Sequence, residues 1–293
     1  MDRNISTFKQ LYEYCLSSKK NIYELAQDNM AMEADISVSE VRKITLKSLS
    51  AMKEAITIGV NSKELSASGM CGDDCFKVKQ YYSKNQSMLG QLFQKVVEYA
   101  LATGEENIRM GKIVACPTAG SCGILPAALI SVSEEYNYNI EDQLNALITA
   151  GEIGRIVSVK MPLAGAVAGC QAECGVACAM ASAAVTQIRG GTIKQILNSS
   201  ALALKNVLGL TCDPVAGLVE VPCVKRNPFM AVYAITASEL ALANVESKIP
   251  IDEVVDAMAQ TGALMSPMLK ESSEAGLATT KTGLLYKDKI YKK

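Results

Sequence analysis

Apolar residues recur at three- and four-residue intervals along most of the chain, the period of an amphipathic helix. After Ser37, the side chains of Val41, Ile44, Leu49, Met52, Ala55 and Ile56 share one helical face, and Ser37-x-x-Glu40 has the form of a capping box. The stretch S-M-L-G-Q-L-F-Q-K-V-V-E-Y-A-L-A-T-G, residues 87–104, predicts a second amphipathic helix with Gly104 as its stop. Residues 140–150, 172–188, 193–208, 229–246 and 251–265 also read as helices, the last opened by Pro250 and Asp252. Strict alternation never lasts more than a few positions, and only the short I-V-A-C and L-V-E-V pieces have extended character. The pattern predicts a mainly α protein, one helical domain over residues 1–293, with Gly/Pro-rich loops between helices.

Four such loops interrupt the pattern. They are S-A-S-G-M-C-G-D-D-C (66–75), C-P-T-A-G-S-C-G-I-L-P (116–126), M-P-L-A-G-A-V-A-G-C-Q-A-E-C-G (161–175) and G-L-T-C-D-P-V-A-G-L-V-E-V-P-C (209–223). Loops held by rigid elements are where functional sites are commonly built.

Composition narrows the chemistry. A chain of 293 residues with 49% hydrophobic and 20% charged residues is globular in character. Twenty-nine basic and 30 acidic residues leave a net charge of −1, which argues against a nucleic-acid partner. The first residues lack the apolar run of a signal peptide. The longest apolar region, Met161 to Val185, is interrupted by Gln171 and Glu173 and so falls short of a membrane span. These features predict a soluble cytoplasmic protein. Ten cysteines in a reducing compartment stay as thiols, either packed in the core or bound to metal. The chain has no histidine, so the common zinc ligand and the usual neutral-pH base are both missing. A metal here would be held by thiolates, alone or with carboxylate, which favours zinc or an iron–sulfur cluster.

The cysteines divide by local context. Cys170, Cys174 and Cys178 follow an i, i+4, i+8 spacing, and a packed helical stripe explains the last two. Cys170 follows Ala168-Gly169 at a loop-to-helix junction, where a helix N-terminus stabilises a thiolate. Cys212 and Cys223 lie beside Pro in a loop, which core packing explains poorly. On these residues alone, a thiolate metal site and plain structural cysteines stand about equal. Cys71 and Cys75, and Cys116 and Cys122, read as small residues lining tight turns, and Cys15 as a core residue.

The motifs C-P-T-A-G-S-C-G-I-L-P, G-C-Q-A-E-C-G-V-A and G-L-T-C-D-P-V-A-G-L-V-E-V-P-C-V-K-R-N resemble those of the bacterial iron–sulfur L-serine dehydratase alpha chains. So do S-A-S-G-M-C-G-D-D near the start and E-A-G-L-A-T-T-K-T-G near the end, so the likeness covers nearly the whole chain. The resemblance implies deamination of L-serine to pyruvate and ammonia on a 4Fe–4S cluster, without pyridoxal phosphate. It implies Cys170, Cys212 and Cys223 as cluster ligands, with one iron left open to act on the substrate hydroxyl. It also implies a beta subunit that supplies the missing histidine, and with it the catalytic base. Relatives of single-chain type can cap the open iron with a terminal Cys, and Y-K-K has none, so self-capping is not expected here.

Within that frame, Thr118, Gly120 and Ser121 precede an expected helix at Ile124 and suit the serine carboxylate, with Ser66, Ser68 and Gly69 in a similar role. Asp73 and Asp74 suit either the substrate ammonium or a helix cap, and the cap is the expected role. Two rival readings remain: a pyridoxal-phosphate dehydratase with Lys160 of V-S-V-K-M-P as its Schiff-base lysine, and a non-catalytic iron–sulfur scaffold.

Overall fold

A computed structural model describes residues 5–292. Thirteen α-helices follow one another among them, and no strand is formed. The first five are α1 (Phe8–Ser18), α2 (Ile22–Glu33), α3 (Val38–Asn61), α4 (Asp74–Lys84) and α5 (Gly90–Ile108). Then come α6 (Ile124–Glu135), α7 (Ile140–Lys160), the single turn α8 (Gly165–Ala168) and α9 (Val176–Ile188). The chain ends with α10 (Ile193–Lys205), α11 (Cys223–Leu242), α12 (Ile251–Leu264) and α13 (Lys281–Tyr291). No helix is long and apolar enough to cross a membrane among the described residues.

Helix α9 is the axis of the core. Its sequence V-A-C-A-M-A-S-A-A-V-T-Q-I is buried at every position but Gln187. Helices α6, α7, α10 and α11 pack around it. A helix apolar on all sides needs neighbours on all sides, and alanine lets them approach closely. The contact of α3 with α5 shows how tight such packing becomes: a Cβ on Gly59 would lie 2.3 Å from the Ala102 carbonyl oxygen.

Several helices differ from the periodic reading. Gly104 does not end α5, which continues to Ile108 and turns at Met110, where φ is 63°. Buried Glu105 and Glu106 extend it: Glu105 accepts N–H groups at the start of α4, and both carboxylates lie near Arg109 one turn on. Ser37 accepts from the Glu40 N–H as a cap, but Glu40 turns to Lys43, so only half the capping box forms. Ile44 is exposed, one position off the buried face of Val41, Leu49, Met52, Ala55 and Ile56. The helix expected at 229–246 starts earlier, at Cys223, and carries Pro228 inside it.

Long-range caps tie the ends together. Asp73 stands at the start of α4 without capping it by its side chain; Glu105 of α5 accepts the N–H of Asp74 at 2.6 Å instead. Asp252, in the first turn of α12, accepts the N–H groups of Phe8 and Lys9 at 3.1 and 2.9 Å and so caps α1. Lys160 bonds Asp252 and Asp256 at 3.2 and 2.9 Å, joining the end of α7 to α12. That lysine is thus a structural tie, and the pyridoxal-phosphate reading has no support from it.

Candidate functional site

The four loops converge on one cavity of ≈ 620 Å³. Ser68 comes from the first loop, Thr118 and Gly120 from the second and Glu173 from the third. Cys212, Glu220 and Cys223 come from the fourth, and Ile290 and Tyr291 reach the cavity from the end of α13. Another cavity, ≈ 580 Å³ between α1, α10 and α12, is lined by no cysteine.

Each of the three singled-out cysteines is held by backbone structure. Cys212 sits in an isolated bridge, its N–H donating to Leu269 at 2.9 Å and its carbonyl accepting from Glu271 N–H at 2.7 Å. Asp213 beside it accepts from Arg226 Nη2 at 3.2 Å and from Leu277 N–H at 2.8 Å. Cys223 opens α11, and Asn227 one turn on donates to its carbonyl at 2.9 Å. Asn227 also donates to Gly120 O and accepts from Gly123 N–H, both at 2.9 Å, which fastens the second loop to α11. Cys170 follows Gly169, whose φ is 77° and whose missing Cβ would meet the Met265 side chain at 2.7 Å. After Cys170 the chain makes a π-helical turn, Gln171–Gly175, before α9. Such wide turns within helices are frequent at functional sites.

Charge separates the thiols. Cys170 is held below its ordinary range, first by its hydrogen bond with Cys174 (Sγ–Sγ 3.3 Å) and then by the Arg226 guanidinium. Burial drives Cys212 upward and Cys223 up to about 12, and a neighbouring Cys170 thiolate adds to both. Cys174 is pushed well up by its bond to Cys170 and by burial. Burial alone raises Cys178 to about 12. Glu173, whose Oε2 lies 3.9 Å from Cys212 Sγ, is raised by burial, with the Thr118 hydroxyl and the Gly165 N–H pulling the other way.

The structure therefore brings Cys170, Cys212 and Cys223 into mutual electrostatic reach, with two of them on the cavity wall. Among the described residues, no group of three or more His, Cys, Asp and Glu is arranged to hold a metal ion. The donor chemistry nevertheless fits a thiolate-bound cluster. The cavity wall offers soft sulfur donors and no imidazole, and the thiols repel one another as thiolates with Arg226 as the nearby cation.

The expected substrate contacts are distributed unevenly. Thr118 and Gly120 line the cavity, while Ser121 is buried behind them and bonds to Thr118. Ser68 lines the cavity, and buried Ser66 lies behind it; both hydroxyls donate to Glu220 Oε2, at 2.8 and 2.6 Å. They already serve a carboxylate of the protein itself. Gly69 is exposed at a turn with φ 73° and is not on the cavity wall. Glu173, Glu220, Arg226 and Asn227 were not singled out from the sequence. Spacing held a clue for three of them: Glu173 follows Cys170 by three residues, and Arg226 and Asn227 follow Cys223 by three and four, one helical turn in each case.

The family profile described as "Serine dehydratase alpha chain" matches residues 17–278. A Bacillus subtilis protein named "Probable L-serine dehydratase, alpha chain" is 40% identical over 93% of this chain and 94% of its own length. The "L-serine dehydratase, alpha chain" of Peptoniphilus asaccharolyticus is 37% identical over 95% of this chain and 96% of its own. A Helicobacter pylori protein named "L-serine dehydratase" is 34% identical over 94% of this chain but only 62% of its own length, so it carries further sequence beyond the shared part.

Proposed function

The chain belongs to the serine dehydratase alpha-chain family, and from that membership we propose that it is the cluster-bearing alpha subunit of an L-serine dehydratase, a carbon–nitrogen lyase. The reaction is the deamination of L-serine to pyruvate and ammonia. The observation that carries the reading is the convergence of Cys212 and Cys223 on one cavity, with Cys170 and Arg226 close by. Cys170, Cys212 and Cys223 are the residues that would hold a 4Fe–4S cluster, which when bound supplies a Lewis acid for the substrate hydroxyl.

The chain's own residues define the rest of the pocket. Arg226 offsets negative charge at Cys170 and is itself oriented by Asp213 and by the Thr211 carbonyl, at 3.2 and 2.9 Å. Asn227 keeps the second loop, with Thr118 and Gly120, beside Cys223. Glu220 and Glu271 make the wall acidic, which suits the ammonium group of an amino acid. Glu173 can hold a proton at Oε2, since burial favours its neutral form.

Among the described residues the same wall carries no lysine or arginine, and the chain has no histidine. A cation for the substrate carboxylate and an imidazole base for the α-proton are therefore assigned to another chain. A beta subunit is the source that fits, and the alpha-chain names of the relatives agree with such a partner. Anaerobic reconstitution of this chain, alone and mixed with the beta chain, tests the proposal. Visible absorbance bleached by dithionite is expected in both samples, and pyruvate formation from L-serine only in the mixture. A fully loaded but inactive mixture would sink the enzymatic reading and leave a non-catalytic iron–sulfur scaffold.

A further inference from the structure

Cys71 and Lys225 have no part in the chemistry proposed above, yet they are held against each other. Cys71 is buried in the loop that precedes α4, and Lys225 lies on the first turn of α11. Lys225 Nζ donates to Cys71 Sγ at 2.9 Å and pairs with Asp74 Oδ2 at 2.6 Å. Asp74 thus steers the amine toward the sulfur. The sulfur is shielded, but the lysine side chain is 42% exposed, so a small oxidant can reach the pair along it. The next thiol in sequence, Cys75, is engaged with the Glu98 carbonyl at 3.3 Å. A nitrogen partner, not a second sulfur, is the neighbour in place for Cys71.

We propose that Cys71 and Lys225 form an oxygen-bridged covalent cross-link, Sγ–O–Nζ, when the protein meets dioxygen. A thiol, a primary amine and dioxygen give the bridge and one water. The S–H bond and one N–H bond break, and an S–O and an O–N bond form. Both released hydrogens leave in the water with the second oxygen atom. Sulfur and nitrogen together lose four electrons, and dioxygen takes up all four. A thiol reductant that attacks the sulfur opens the S–O bond: two thiols become a disulfide, the Cys71 thiol is returned, and Lys225 is left as its hydroxylamine, one oxygen heavier.

The bridge joins two walls of the cavity. One end lies in the loop that presents Ser66 and Ser68 to Glu220, and the other lies two residues after Cys223. Exposure to dioxygen therefore fastens the first loop to the start of α11.

The test uses the full chain, purified anaerobically and divided, with one half held in air-saturated buffer. Both halves are digested with trypsin and mapped by mass spectrometry. In the aerated half, the Cys71 and Lys225 peptides are expected to be joined, with a mass gain of one oxygen less two hydrogens. Cleavage after Lys225 is expected to be lost, and dithiothreitol should separate the two peptides, returning the Cys71 thiol and leaving the Lys225 peptide one oxygen heavier. Lys225→Arg keeps the charge but should abolish the adduct, as should Cys71→Ser. A free thiol or a sulfinic acid at Cys71 in the aerated wild type overturns the proposal, and so does an adduct that survives in Lys225→Arg. The readout needs no catalysis, so its failure leaves the dehydratase reading untouched.

Discussion

Cys170 and Cys178 come from one short stretch of chain, yet they live in different chemical worlds. Cys178 lies on the fully buried core helix, with the Met230 carbonyl at 3.3 Å as its partner and burial as the single cause of its raised pKa. Cys170, two turns earlier, is pulled the other way by Cys174 and Arg226. The lesson is that an evenly spaced cysteine stripe is not a functional unit. What distinguishes Cys170 within the stripe is a charge partner, Arg226, supplied by another part of the chain.

The largest expected effect breaks the comparison directly. Alanine at Cys170, Cys212 or Cys223 should reduce iron retained after anaerobic reconstitution by more than the about 100-fold typical of a lost supporting contact. Pyruvate formation in the presence of the beta chain should vanish with it. Cys174→Ala and Cys178→Ala should keep their iron. Iron lost equally from Cys174→Ala would move Cys174 into the ligand group and dissolve the distinction within the stripe.

A smaller effect is expected at Arg226. Arg226→Met removes the cation beside Cys170 and leaves Asp213, with a side chain only 7% exposed, without its partner. Breaking one side of such a pair should cost about 3 kcal/mol in urea unfolding, and iron retention should fall about 10–100-fold. A double variant with Asp213→Asn should recover much of the stability and none of the iron. Recovery of both would mean that Arg226 acts through folding alone.

The third effect sharpens the core side of the comparison. The folded-state pKa of Cys178 lies near 12 against an ordinary value of 9.0. Its neutral thiol therefore favours the folded state fully below pH 9, and that contribution is lost as the pH rises toward 12. Wild type should lose about 1.4 kcal/mol relative to Cys178→Ala between about pH 8 and about pH 10, read from urea midpoints at each pH. Equal pH slopes for the two proteins would show that Cys178 is not shielded. The smallest effect is the cavity left by Cys178→Ala at neutral pH, about 1 kcal/mol with iron content unchanged.

Much of this architecture was legible in the residues. Helical periodicity marked the helices because burial of an amphipathic face repeats locally. Breaks at Gly and Pro marked all four loops that line the cavity. Helix ends were less legible: Gly104 reads as a stop, yet α5 runs past it because Glu105 is taken up by the N–H groups of Asp74 and Cys75 at the start of α4. The cap of α4 was unreadable for a similar reason, since Glu105 arrives from another helix, 31 residues away in sequence.

The sequence by itself determined that the chain is helical, that it lacks histidine, and that Cys170, Cys212 and Cys223 sit at loop junctions within family motifs. Those properties are local, or are carried by contiguous runs of residues. Only the tertiary structure decided that Glu173 and Glu220 share a cavity with Cys212 and Cys223, and that Arg226 reaches back to Cys170. Electrostatic environments depend on distance through space, and the 39 residues between Glu173 and Cys212, like the 56 between Cys170 and Arg226, leave no periodic trace to read.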